Sequence, residues 1–217
     1  MTCCASHCAA ASFFDTRIAN RDLRRYQRRG PDPSTRMLLS ELRRGPLEEL
    51  HLLDVGSGIG VIAAELAADG LASATLVDAS PAYLDVARRN VRSRYGSRSA
   101  QFILGDFAST TDALPEADIV TLDRVVCCYP NAEALLSRAA ARSRHLLAFT
   151  HPRYRWYMRA GFAVMNFFFR VARSRFRIFV HRPRQMAAVL EAAGFDLAAQ
   201  RESFFWSFRL YRHSSSA

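Results

Sequence analysis

Leu52-Leu53-Asp54-Val55-Gly56-Ser57-Gly58-Ile59-Gly60 is the stretch that decides the fold. Its apolar start reads as a buried strand over 51–55, and the apolar run behind it reads as a helix over 61–68. The glycines between them let the backbone turn sharply and let a ligand come close, while free amides at the helix start attract an anion. A second apolar run, 74–78, ends on Asp78, twenty-four residues after Asp54. A carboxylate at that strand end is placed to bind two ribose hydroxyls.

Either side of this unit the pattern alternates. Helices are predicted over 16–29 and 33–44, the second with Asp32 as cap, Pro33 at its first position and Gly45 past its end. A helix over 81–91 is capped by Ser80, strands follow at 101–104 and 118–122, then a helix at 131–142 and a strand at 145–149. Strands alternating with helices imply a parallel sheet covered on both faces, an α/β fold. Beyond it come a long helix over 154–173, a segment over 176–181 and a helix over 183–193 ended by Gly194. Strands at 195–201 and 204–211, so close in sequence, form an antiparallel hairpin.

At 217 residues the chain is one domain with additions. An N-terminal tail and cover helices occupy 1–45, and the main domain fills 46–217 with an Arg/aromatic helical insertion at about 153–182. Half the residues are apolar and 23% are charged, the balance of a globule with a real core. Net charge is +10, and all thirty basic residues are Arg. The lack of lysine excludes Schiff-base chemistry and a Walker-type phosphate loop. Such uniform use of Arg reads as a composition bias, so the charge alone does not point to nucleic acid. Five cysteines, three crowded at 3–8 and two adjacent at 127–128, make no disulfide framework and suit a reduced, cytoplasmic setting. No signal peptide is expected, and the apolar run 160–169, broken by Asn166, is too short to span a bilayer.

Two ligand classes use a strand, a glycine loop and a later acid in this way. Dinucleotide enzymes want G-x-G-x-x-G, and here the third glycine falls one residue early, with Val61 in its place. Asp54-x-Gly56-x-Gly58-x-Gly60 instead resembles motif I of the class I S-adenosylmethionine-dependent methyltransferases. Asp78-Ala79-Ser80 resembles that family's ribose-binding acid, and Gly105-Asp106-Phe107 the end of its third strand. Asp118-Ile119-Val120 through Asn131-Ala132-Glu133 resembles its fourth strand and following helix, and the C-terminal helix and strand pair its closing hairpin. The likeness spans about residues 35–211. It implies a Rossmann-like seven-stranded sheet of order 3-2-1-4-5-7-6, strand 7 antiparallel, with S-adenosylmethionine over the carboxyl ends of the first four strands. It also implies roles for single residues. Gly56, Ser57, Gly58 and Gly60 would carry the backbone against the methionine part, and Asp54 would accept from its amino group. Asp78 would bind the ribose, Asp106 the adenine edge, and Phe107 or Ala79 the adenine faces. Asp123, at the end of the fourth strand, joins the cofactor-binding set.

The loop Leu122-Asp123-Arg124-Val125-Val126-Cys127-Cys128-Tyr129-Pro130 would line the gap between methyl group and acceptor. It lacks the Asn/Asp-Pro-Pro-Tyr/Phe motif of enzymes that methylate exocyclic amines, which argues against base N-methylation. Small-molecule enzymes of the ubiquinone-methyltransferase type carry an acid and a His in this loop, where Arg124 and Cys128 stand here. Cys127 and Cys128 read as small buried residues, because their flanks do not match cytosine methylases. Tyr129 reads as a substrate contact or as an anchor for the loop. His151, just past the fifth strand, reads as a general base or as a loop residue beside Pro152. The catalytic candidates are therefore His151, Tyr129 and Arg124, with the base left open.

Between Glu133 and Glu191 lie twelve Arg, ten aromatic residues and no acid. On a helix, Arg155, Arg159, Asn166, Arg170 and Arg173 fall within about 60° of one another, with Trp156, Tyr157, Val164, Phe167, Phe168 and Val171 towards the other side. Three readings fit: a membrane-surface helix, a lid over an apolar anionic substrate, or a surface helix with a solvated Arg face. The segment Phe13-Phe14-Asp15 through Asp22-Leu23-Arg24-Arg25-Tyr26 loosely resembles the N-terminal cover helix of magnesium-protoporphyrin O-methyltransferases, whose substrate is apolar and carries propionates. Tyr26 would close over the cofactor or simply pack. Cys3, Cys4, His7 and Cys8 read as a tail rather than a metal site, since no second half-site accompanies them. The expected activity is methyl transfer to oxygen or carbon of a small, partly apolar, anionic molecule, in the cytoplasm, with peripheral contact to anionic membrane as an added role. The competing readings are an RNA-modifying methyltransferase, against which the missing motif and missing RNA-binding appendage count, and a membrane-associated module that binds the cofactor without catalysis.

Overall fold

The structure is a computed structural model that describes residues 15–95, 99–110 and 114–216. Cys3, Cys4, His7 and Cys8 lie outside the described residues. The chain opens with α1 (Thr16–Arg29) and α2 (Pro33–Leu42), then runs β1 (His51–Val55), α3 (Val61–Ala68), β2 (Ser73–Asp78), α4 (Pro81–Tyr95) and β3 (Ser99–Leu104). A short α5 (Phe107–Thr110), β4 (Ala117–Leu122), α6 (Ala132–Ala140), β5 (Ser143–Pro152) and α7 (Trp156–Val171) follow, and α8 (Pro183–Ala192), β6 (Phe195–Glu202) and β7 (Trp206–His213) close the fold.

The strands form one sheet of order β3-β2-β1-β4-β5-β7-β6. β1 to β5 pair in parallel, and β7 lies antiparallel between β5 and β6. This is the seven-stranded Rossmann-like arrangement that the resemblance implies, and its parallel part is what the strand–helix alternation predicts. Both sheet faces are apolar because both are covered, and the two-residue period sorts them. Leu53, Val55, Val120, Leu147 and Phe149 pack under α6 and α8, with Leu135, Leu136, Met186 and Leu190. Leu52, Ile119, Ala148, Phe208 and Leu210 pack under α2 and α3, with Leu38, Leu39, Ile62 and Leu66. A third cluster, Ala19, Tyr26, Ile59, Tyr83 and Val86, seats α1 on α4 beside the glycine loop.

Several elements differ from the sequence expectation. Asp32 makes no capping bond to α2, because its carboxylate is taken by Arg25 at 2.6 and 2.7 Å and by Arg124 at 2.6 Å. The helix begun at Pro81 continues to Tyr95, where Val91 and Tyr95 still reach the core. β5 runs on through Pro152, because β7 pairs with it that far, so His151 sits inside the sheet opposite Ser207.

The Arg/aromatic helix α7 rests on buried Met158 and half-buried Phe162, Phe169 and Asn166. Asn166 exchanges two hydrogen bonds with the backbone of Ile178, at 2.8 and 2.9 Å. The aromatic face therefore points outward: Trp156, Val164, Phe167, Phe168 and Val171 are all exposed. That corrects the reading in which only the arginines are solvated. Among the described residues no helix is long and apolar enough to cross a membrane.

Candidate functional site

The sharp turn after β1 is built from three glycines with left-handed φ: Gly56 at 61°, Gly58 at 55° and Gly60 at 73°. Their amides do not stay free. Gly56 and Ser57 donate to the carbonyl of Val77 at 2.8 and 3.1 Å, Gly58 donates to Asp78 Oδ2 at 2.8 Å, and Gly60 donates to the carbonyl of Ser57 at 2.8 Å. Three of these four bonds lash the loop to the end of β2, and the fourth closes the turn on itself.

Two adjoining cavities flank the loop at the carboxyl edge of the sheet, where open α/β sheets bind ligands. The larger, about 270 Å³, is lined by Gly56, Gly58, Asp78, Ala79, Tyr83, Gly105, Phe107, Asp123, Arg124, Val125, Cys128 and Tyr129, with Asp22 reaching in from α1. The smaller, about 90 Å³, lies under α1 and α2 and takes in Tyr26, Thr35, Asp54 and Ser57. Gly56, Gly58, Asp22, Tyr83, Asp123 and Arg124 border both.

The walls are acidic. Asp54 is wholly buried on β1; Thr121, its register partner on β4, donates to Oδ1 at 2.7 Å. Oδ2 of Asp54 and Oγ of Ser57, both buried, have no hydrogen-bond partner among the described residues. Burial pushes the Asp54 carboxyl up to about 7, against the Thr121 bond and with help from Asp123 and Asp78. Burial likewise raises Asp78 to about 6, although the amides of Ser80, Gly58 and Ala79 hold it down. Asp123 accepts from Thr35 at 2.5 Å and from Thr150 at 2.6 Å, and so ties α2 and β5 to the end of β4. Five carboxylates edge the paired cavities; Asp32 is matched by Arg25 and Arg124, and the other four, in a chain of net charge +10, suit a cationic ligand with hydroxyl groups.

The remaining expected site residues are spread more widely. Ala79 and Phe107 border the larger cavity. Asp106 borders neither cavity; it accepts from the Tyr129 hydroxyl at 2.8 Å and the Ala108 amide at 3.0 Å, so Tyr129 stands between it and the space. Gly60 also borders neither. A Cβ there would come within 2.6 Å of Val91 and 3.0 Å of Leu76, so this glycine serves the packing of α4 on β2. Cys128 faces the larger cavity, and Cys127 is buried behind it.

The three catalytic candidates divide. Arg124, in the left-handed region at φ 60°, lines both cavities and pairs with Asp32 at 2.6 Å. Burial opposes its charge, but Asp123 and Asp32 outweigh that and keep the guanidinium above its ordinary value. Tyr129 is a hydrogen-bond donor to Asp106, and burial together with that carboxylate raises its phenol far above the ordinary value. His151 borders neither cavity; it is buried in β5, bonds the Pro152 carbonyl at 2.9 Å through Nδ1, and burial lowers it to about 4. Sequence reasoning missed Asp22, Tyr83, Thr35, Thr121 and Thr150. Tyr83 donates to Asp22 at 2.7 Å, which joins α4 to the cover helix across the cavity mouth. No local motif marks these residues, since each acts across distant elements.

No curated protein sequence matches the chain. The structure is similar to magnesium protoporphyrin IX methyltransferase from Synechocystis PCC 6803 with bound S-adenosylhomocysteine, at TM-score 0.74 and 17% identity over 96% of this chain and 100% of that one. It is also similar to an O-methyltransferase family protein from Burkholderia thailandensis, at TM-score 0.69 and 18% identity over 94% of this chain and 61% of that one. A third likeness is a TehB-like S-adenosylmethionine-dependent methyltransferase from Corynebacterium glutamicum, at TM-score 0.63 and 15% identity over 90% of this chain and 96% of that one. Residues 52–146, from β1 to β5, match the family model of a methyltransferase domain, and this match together with the sheet order and the glycine loop supports a class I S-adenosylmethionine-dependent methyltransferase.

Proposed function

We propose that the chain transfers the methyl group of S-adenosylmethionine to an oxygen of a small, partly apolar acceptor that arrives as an anion. The observation that carries this reading is the acid lining of the paired cavities by Asp22, Asp54, Asp78 and Asp123. A sulfonium and an ammonium group are favoured beside these carboxylates, and the orphaned Asp54 Oδ2 offers the ammonium an acceptor. In this reading Asp78 binds the ribose hydroxyls. Asp54, Ser57 and the backbone at Gly56 and Gly58 hold the amino-acid end, with Asp123 near it. Ala79 and Phe107 contact the adenine, and Asp106 serves its amino edge where Tyr129 yields. When bound, the cofactor supplies an electrophilic methyl group.

The chain's own task is then to bring an acceptor into line and keep water away, because displacement at a methyl group gains mostly from proximity and orientation. Val125, Cys128 and Tyr129 give that wall its partly apolar character, and Arg124 is the cation bordering it. None of the three candidate residues is suited to take a proton near neutral pH. Arg124 and Tyr129 hold theirs too firmly, and His151 stands outside the cavities. An acceptor already ionised, such as a carboxylate, needs no base. The likeness to an O-methyltransferase family protein supports oxygen as the atom methylated.

The test is incubation of the full chain with methyl-labelled S-adenosylmethionine and a panel of apolar carboxylates, phenols, activated methylene compounds and RNA. The expected product is a methyl ester that releases labelled methanol in alkali. Label retained in an alkali-stable carbon product, or found only in RNA, would contradict the reading.

A further inference from the structure

We propose that α7 and the turn between β6 and β7 together dock this protein on an anionic lipid surface, at the same edge of the sheet as the cavity. The first observation is the apolar face itself. Trp156 is 79% exposed, Phe167 60%, Phe168 62% and Val171 66%, with Val164 between them. At 100° per residue these side chains fill one side of α7, opposite Met158, Phe162 and Phe169, on which the helix rests. The hairpin turn adds Phe204 at 66% and Phe205 at 55%. Contiguous exposed aromatics on this scale mark a surface that another body covers.

The two parts form one unit. Arg153, which precedes α7, donates its amide to the carbonyl of Phe205 at 3.0 Å. Its guanidinium bonds the carbonyl of Ser203 at 3.2 Å and Glu202 at 2.6 Å. The Tyr157 ring then stacks on Phe204 at 5.6 Å. Helix start and hairpin turn are thereby fixed to each other.

Charge decides what covers the face. Arg155, Arg159, Arg170 and Arg173 border the aromatic residues, all are exposed, and none pairs with a carboxylate among the described residues. Arg159 instead lies over the Tyr154 ring at 5.5 Å. From Ala134 to Leu190 the chain has twelve arginines and no acid. Exposed rings beside a stripe of unpaired arginines fit a bilayer of anionic headgroups, which takes the rings into its interface and the guanidinium groups at its phosphates. A neutral apolar partner would leave the arginines without counter-charge.

Topology adds the location. α7 leaves the carboxyl end of β5, and the β6–β7 turn lies at the carboxyl end of β6, which runs parallel to β5. The cavity stands at the carboxyl ends of β1, β2 and β4. The segment after α7 also touches the cavity loop, since Phe179 donates to the carbonyl of Cys127 at 2.8 Å and His181 bonds that of Tyr129 at 2.9 Å. Docking would bring acceptors dissolved in the lipid interface to this edge. The docking itself does not depend on which acceptor is methylated.

The experiment is co-sedimentation of the full chain with vesicles of phosphatidylcholine alone and of phosphatidylcholine mixed with phosphatidylglycerol, at low and raised salt. Binding is expected to the mixed vesicles only, and to weaken as salt rises. Two variants separate the contributions: one with Trp156→Ser, Phe167→Ser and Phe168→Ser, the other with Arg155→Gln, Arg159→Gln, Arg170→Gln and Arg173→Gln. The arginine variant should lose roughly a hundredfold or more in partitioning, at roughly fivefold per arginine near an anionic surface, the aromatic variant about tenfold or more, and both should still bind S-adenosylmethionine. No binding to mixed vesicles, equal binding to neutral ones, or variants that sediment like the parent would overturn the proposal. So would a dimer in solution that the aromatic variant splits, which would assign the face to a second copy.

Discussion

The backbone N–H of Gly58 donates to Oδ2 of Asp78 at 2.8 Å, so the glycine loop and the carboxylate at the end of β2 hold each other in place. Oδ1 of the same carboxylate accepts from Ser80 at 2.8 Å, and the residue lines the larger cavity. Asp78→Ala should therefore weaken S-adenosylmethionine binding twice over, by losing the ribose acceptor and by loosening the loop. The expected loss is about 1–3 kcal/mol, read by calorimetry. Gly58→Val should also abolish binding, and the reason is conformation rather than space. A Cβ there meets Tyr83 at an ordinary 3.5 Å, but φ of 55° is strained for a β-branched residue.

Gly60→Ala should act on stability. Its methyl would meet Val91 at 2.6 Å, Leu76 at 3.0 Å and Ala87 at 3.3 Å at a φ of 73°. Overpacking and left-handed strain together predict a loss of about 2–4 kcal/mol, measured from the denaturant midpoint. If the midpoint is unchanged, the packing role assigned to this glycine is wrong.

Asp54 gives a pH dependence whose sign can be worked out. Its folded value of about 7 lies above the ordinary carboxylate value, so between about pH 4 and 7 the native chain keeps a proton that the unfolded chain has lost. Stability without cofactor should fall as pH rises through that window and level off above it. Asp78, at about 6, adds to the lower part of the fall. Asp54→Asn should flatten the upper part and stabilise the cofactor-free chain at pH 8 by roughly 1–3 kcal/mol. Because a cationic ligand favours the ionised acid, S-adenosylmethionine binding near pH 6 should release protons, detected as a dependence of the heat on buffer. Asp54→Asn should reduce that release.

His151→Asn should leave the pH–rate profile unchanged in shape. The side chain is buried in β5 opposite Ser207, outside both cavities. Loss of a kinetic limb on replacement would restore it as a general base.

The parallel sheet and the loop were legible because glycine spacing and strand–helix alternation are local signals; the strand order came with the family resemblance. Asp54, Asp78 and Asp123 were legible as acids at strand ends. What they bond to was not: Thr121 reaches Asp54 and Thr150 reaches Asp123 only after distant strands pair. Asp32 shows the same limit, since its position before Pro33 suggests a cap, whereas Arg25 and Arg124 draw its carboxylate away. His151 was misplaced because β5 extends as far as β7 pairs with it, a length that residues 145–149 alone do not reveal. For α7, periodicity separated arginines from aromatics correctly, yet it cannot say which stripe meets the core; Met158, Phe162 and Phe169 do.

Calorimetric titration of the full chain at pH 7.5 with S-adenosylmethionine and, separately, with NAD tests the central claim most directly. The account predicts that S-adenosylmethionine binds at one site per chain, that Asp78→Ala weakens it by about tenfold or more, and that NAD, whose pyrophosphate meets carboxylates, does not bind. Binding of NAD in place of S-adenosylmethionine, or an affinity indifferent to Asp78, would contradict it.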